Sequence, residues 1–135
     1  MKPHKDAKST IVTEWLKKAV EDIDVSEHLL STDALFPNAV AFHAQQAAEK
    51  FLKAYLTWHQ VEFPKTHDID TLLDLVETVD PERANSLRDT IVLTLYGVEV
   101  RYPGDRPVVS KEDARRAVGM AVKIREAVSK ALPIL

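Results

Sequence analysis

The sequence predicts an all-α fold, an up-and-down bundle of four long helices plus one short helix. Three observations point there. Apolar residues recur at helical spacing in five segments, the pattern of helices that bury one stripe. Proline, Asp and Ser stand where those segments begin or end. Residues 98–102 alternate in the manner of a strand, but Pro103 and Gly104 cut that run short. Long helices with short connections assemble as antiparallel bundles.

The first helix is expected over residues 10–30, with Val12, Trp15, Leu16, Ala19 and Ile23 in its stripe. The second, over 37–59, opens at Pro37, whose missing N–H is harmless in a first turn. Ala44, Ala47, Ala48, Phe51, Leu52 and Tyr55 share one side of it, and Gln46, Glu49, Lys50, Lys53 and Gln60 the other. The third is short, over 68–79, with Thr66 as its cap and Ile69, Leu72, Leu73 and Val76 buried. The fourth, over 81–100, starts from Asp80 as cap and Pro81 as first residue, and buries Ala84, Leu87, Ile91, Leu95 and Val98. Ser110 and Asp113 make a capping-box-like start for the fifth, over 110–132, whose stripe is Ala114, Ala117, Val118, Ala121, Ile124 and Val128.

Length and composition bound the function. At 135 residues the chain makes a single domain, 1–135, and its 45% apolar and 29% charged shares suit a globular core. The absence of cysteine excludes a disulfide framework, a thiolate nucleophile and thiolate-bound metals. Three glycines leave no Gly-rich phosphate loop. A net charge of −3 argues against coating duplex DNA by bulk charge. The charge is uneven, however: −1 over residues 1–53, −5 over 54–80 and +3 over 81–135, where all seven arginines lie. That basic last part either faces an anionic ligand or belongs to a solvated surface of mixed charge, and charge alone favours the second. No stretch approaches the roughly 20 apolar residues of a membrane span. The polar, lysine-bearing start argues against a secretory signal. A cytoplasmic location is therefore expected, with no membrane partner.

The sequence offers no metal or cofactor motif. No Glu-x-x-His pair of a di-iron bundle occurs, and the five histidines show no i, i+4 spacing of the zincin kind. Helix two is more informative. Phe42, Gln46, Glu49 and Lys53 share one azimuth, with His43 and Lys50 beside it. Phe42 either packs on the loop near Leu35 or another helix, or anchors a face that meets another chain or ligand, with the amides and lysines of that face as polar partners. His59 is expected among core residues near Leu52 and Tyr55. His67 stands at the start of helix three, where it caps the turn or touches an anion. Arg101 beside Tyr102 could clamp phosphate and stack a base, or form a structural salt bridge to helix one.

Three runs carry a family resemblance. Residues 42–56, with Phe42, His43, Gln45, Gln46, Ala47, Ala48, Glu49, Lys50, Phe51 and Lys53, resemble the second helix of HEPN domains. Thr66, His67, Asp68 and Ile69 with Leu72 and Leu73 fit in order and spacing, as do Arg101, Tyr102 and Pro103. The resemblance covers nearly the whole chain. It implies a homodimeric helical bundle that works as a nucleotide-binding or accessory module. It also implies partnership with a minimal nucleotidyltransferase in a toxin–antitoxin-like pair. Carried over onto matching positions, the nucleotide-binding residues are His43, Gln46, Lys50 and Arg101, with Tyr102 for stacking, and the ligand is a nucleotide or RNA. Phe42, Glu49 and Lys53 are the interface residues.

Many family members are metal-independent endoribonucleases that use an arginine followed, four to six residues later, by a histidine. Here every histidine precedes every arginine, His67 being the last and Arg83 the first. That motif is absent, so no catalytic residue is assigned. The alternatives are an endoribonuclease toxin with a non-standard site, for which Arg101 would converge with His43 or His67, and a purely structural helical adaptor.

Overall fold

The computed structural model describes residues 3–32, 35–97 and 108–133. Every regular element among them is helical. They are α1 (Pro3–Ser31), α2 (Pro37–Trp58), α3 (Ile69–Glu77), α4 (Pro81–Ser86), a 3-10 helix (Arg88–Gly97) and α5 (Lys111–Ala131). The alternating run expected at 98–102 lies outside the described residues.

The central element is α2. It packs most extensively on α1, next on α5, and also touches α3 and the 3-10 helix. Alanines at 41, 44, 47 and 48 are fully buried and let these neighbours approach closely. Phe51, Leu52, Tyr55 and Leu56 fill the middle of the core with Ile23, Leu72, Leu73, Leu93 and Ile124. Each such apolar side chain contributes about 1.5–3 kcal/mol by leaving water. A surface ion pair contributes about 0–1 kcal/mol, so burial rather than surface pairing assembles the bundle.

Local chemistry places the helix ends. Gln60, at φ 57, takes the left-handed conformation that closes α2, and Val61 N–H returns to the Leu56 carbonyl at 2.9 Å. Asp68, not Thr66, caps α3 by accepting from the Asp70 N–H, while the Thr66 hydroxyl accepts from the Asp68 N–H one turn earlier. Asp80 caps α4 as expected, with Pro81 in the first turn. Ser110 and Asp113 form the full capping box of α5.

The fourth long helix expected over 81–100 is instead two shorter pieces. It breaks at Leu87, whose carbonyl accepts the Thr90 hydroxyl at 2.6 Å. The run Thr90, Ile91, Val92 and Thr94 is β-branched and crowds an α-helix. The chain therefore winds on as a 3-10 helix, with Leu93 buried and Ile91, Val92 and Leu95 exposed. Arg88 fastens this stretch to α3 through Asp70, Asp74 and Glu77 at 2.6, 2.8 and 2.7 Å. At its far end Gly97 lies against Gln45. A Cβ there would stand 2.5 Å from the Gln45 Cδ, so any larger residue would push the Gln45 amide out of its place.

Candidate functional site

Two polar constellations lie along α2. In the first, α1 supplies one carboxylate and α2 supplies two bases. Asp22 Oδ1 lies 2.9 Å from His43 Nδ1, and its Oδ2 accepts from Lys50 Nζ at 2.5 Å. His43 and Lys50 lie seven residues apart, two helical turns, so both face the same side of α2. The Asp22 side chain is 12% exposed, His43 32% and Lys50 23%. A half-buried lysine is thus neutralised without leaving the surface. One turn further along α1, the buried Ser26 hydroxyl donates to the Val40 carbonyl at 2.7 Å and fixes the start of α2 beside it.

The second constellation is interior. The Glu49 carboxylate is buried and faces three donors: Lys53 Nζ at 2.8 Å, Gln45 Nε2 at 3.2 Å and His67 Nδ1 at 2.9 Å. The Lys53 ammonium also lies 5.6 Å from the Trp15 ring centroid and 5.8 Å from that of Phe63. Those two rings meet edge to face at 6.2 Å. Aromatic faces and a carboxylate together offset the cost of taking an ammonium out of water. Gln45 is fully buried; its amide N–H₂ also donates to the His67 carbonyl, and its oxygen accepts from Gln46 Nε2 at 2.7 Å.

Glu49 and Lys53, expected on an interface, are therefore enclosed by the protomer itself. The reason is a set of neighbours that a single-helix projection does not show: Trp15 and Phe63 lie against Lys53, and His67 bonds Glu49. Phe42 remains half-buried. It lines a cleft of about 440 Å³ with Phe36, Pro37, Asn38, Ala39 and His43. Phe36 is 56% exposed at the mouth. His43 Nδ1 is committed to Asp22, which leaves Nε2 as the polar atom of the ring on the cleft side.

Of the expected nucleotide-binding residues, the structure brings His43 and Lys50 together on Asp22. Gln46 stands between them on the helix, with its amide turned to Gln45. Arg101 and Tyr102 lie outside the described residues. His59 is exposed rather than in the core. His67 does not cap α3; it bonds Glu49 and leaves its side chain 71% exposed. Sequence reasoning passed over Asp22. Its signal was its position: with Ser26, four residues on, it interrupts a stripe otherwise occupied by Trp15, Ala19 and Ile23. Among the described residues, no group of three or more His, Asp or Glu is arranged to hold a metal ion. No described helix is long and apolar enough to cross a membrane.

The HEPN domain model matches residues 12–131 of the sequence. The chain belongs to the HEPN domain family. Two solved structures share the fold of this HEPN protein. An archaeal HEPN homologue superposes with a TM-score of 0.70 at 24% identity, over 89% of this chain and 96% of its own. A protein from Thermus thermophilus superposes with a TM-score of 0.71 at 25% identity, over 90% of this chain and 98% of its own. No curated protein matches the sequence.

Proposed function

We propose that this HEPN protein is a homodimeric, cytoplasmic nucleotide-binding or accessory module, acting beside a minimal nucleotidyltransferase in a toxin–antitoxin-like pair. One observation carries the binding part. The aromatic cleft of Phe36 and Phe42 has His43 in its lining, and His43 shares the Asp22 carboxylate with Lys50 of the same helix. A base stacks on an aromatic ring in water, and the adjoining imidazole and ammonium meet its phosphate. No acidic residue occupies the first turn of α2, so the positive end of its dipole adds to the attraction. Leu35 and Phe36, 63% and 56% exposed, extend the same apolar surface and suit a second protomer beside the cleft.

Thermal melting with a nucleotide panel tests the reading, because a ligand that binds only the folded state raises its midpoint. A nucleotide is expected to raise it in the wild type and less in Phe42→Ala and Lys50→Ala. Equal shifts in all three chains would discard the cleft. Light scattering of Phe42→Glu tests the dimer; an unchanged mass would discard that surface.

The Asp22–His43 pair favours a second reading. A carboxylate behind Nδ1 fixes the tautomer and leaves Nε2 free to take or give a proton. A metal-independent endoribonuclease with a non-standard site would use it so. RNA cleavage without metal that is lost in His43→Asn supports this reading, and no cleavage by the wild type removes it.

A further inference from the structure

The other end of α2 holds a polar cluster that neither reading uses. Sixteen residues separate His43 from His59, about 24 Å along a helix. There Tyr55 is buried, and its ring centroid lies 4.5 Å from that of His59. The Arg83 guanidinium stands 5.9 Å above the same tyrosine ring. Lys8 arrives from α1 and sits 4.1 Å over the ring of Trp58, the residue before His59.

Arg83 is short of partners. It meets the Ala127 carbonyl at 3.4 Å and the Asp80 carboxylate at 3.5 Å, and its buried Nε has no partner. Arg88, five residues on, is the internal contrast, with three carboxylates at 2.6–2.8 Å. Charge-assisted hydrogen bonds run to about 2.7–2.9 Å. Arg88 is a satisfied structural ion, and Arg83 keeps donors in reserve.

The electrostatics agree with the geometry. Burial first, then Lys8 and Arg83, hold the His59 pKa below its ordinary value, and Asp80 opposes them. Burial likewise raises the Tyr55 pKa and keeps its hydroxyl protonated, with Arg83 opposing and Asp80 assisting. Two cations and one carboxylate thus act on an exposed imidazole, and the local charge is positive.

The geometry points to an anion-binding site above the Tyr55 ring, formed by Arg83, His59 and Lys8 and suited to a phosphate dianion. A guanidinium binds two phosphate oxygens side by side. Lys8 and protonated His59 supply the remaining donors, and the two negative charges relieve the repulsion among the three bases. Inorganic phosphate and a phosphate monoester share this chemistry.

NMR of the full chain, titrated with inorganic phosphate at ionic strength held constant with chloride, reads the site through the Trp58 indole and the His59 imidazole. Saturable shifts at both are expected, with a His59 pKa that rises on saturation. Arg83→Gln should weaken binding about tenfold to a hundredfold, while Arg88→Gln leaves it unchanged. Shifts that never saturate, or an Arg83→Gln chain that binds like the wild type, would overturn the site. Should Arg83→Gln fail to fold, His59→Gln serves at an exposed position. Its phosphate affinity, measured at one fixed pH, should fall several-fold below that of the wild type, and an unchanged affinity overturns the proposal. Adenosine 5′-monophosphate and adenosine, tested on Phe42→Ala to silence the distant cleft, separate the sources. Monophosphate bound more tightly than inorganic phosphate marks a monoester as the occupant, and equal binding marks free phosphate. Adenosine bound as tightly as its monophosphate overturns a phosphate site.

Discussion

Replacing Asp22 by Asn tests the polar clamp between α1 and α2. The two carboxylate oxygens serve His43 and Lys50 separately. Asn keeps the shape but offers one acceptor and no charge. Removing one member of a fully buried ion pair costs about 3–5 kcal/mol, and breaking an exposed pair costs about 0–1 kcal/mol. Asp22 belongs near the first class at 12% exposure, whereas Lys50 at 23% and His43 at 32% retain some water. The expected loss lies between, at about 2 kcal/mol. For a chain of this length that is a fall in Tm of about 6–10 °C. Urea unfolding followed by far-UV circular dichroism measures it. A double-mutant cycle with Lys50→Met should return a coupling of about 1 kcal/mol. A loss under about 0.5 kcal/mol, or a cycle that is simply additive, would refute the clamp.

Three further outcomes are expected. Gly119→Ala should stabilise by about 1 kcal/mol in thermal melts, because Gly119 lies within α5 and nothing stands within 4 Å of the added methyl; an unchanged midpoint would show that the position does more than complete a helix. Gly97→Ala should cost about 1–3 kcal/mol, since the methyl displaces the Gln45 amide from Glu49 and the His67 carbonyl. Urea midpoints of Gly97→Ala with and without Gln45→Ala check this, and no recovery in the double variant would locate the strain elsewhere. Burial, Lys8 and Arg83 depress the His59 pKa in the fold, so the unfolded chain takes up that proton first as pH falls through about 6.5. Stability should therefore decline below that pH, and less steeply in His59→Gln; identical slopes in urea midpoints between about pH 8 and pH 5 would count against it.

The long helices were legible because α1, α2 and α5 each keep a single apolar period over many turns, and because Asp80 and Ser110 are caps with one competent neighbour. The break at Leu87 was not. Leu87, Ile91 and Leu95 are spaced as in an α-helix, and the β-branched residues between them carry only a weak preference. Thr66 and Asp68 are both capable of capping α3, and two residues of offset lie beyond what spacing resolves. For the candidate site, His43 and Lys50 were legible as neighbours on one helix. The burial of Glu49 and Lys53 was not legible, because helical projection gives an azimuth but not what packs over it. Asp22, which joins α1 to the site, becomes visible only when two helices are set side by side.

The arrangement of α2 also governs how the bundle is aligned. Its alanines at 41, 44, 47 and 48 present a smooth surface on which a neighbour could slide. Asp22, Ser26 and Trp15 instead engage α2 or its flank at three separate heights. A slip of α1 by one turn, about 5.4 Å, would part the Asp22 carboxylate from both its bases and leave the Ser26 hydroxyl without its acceptor. Closeness thus comes from the smallest side chains and longitudinal alignment from a few polar ones. Substituting the polar keys by leucine would keep the helices together yet let them sample more than one alignment.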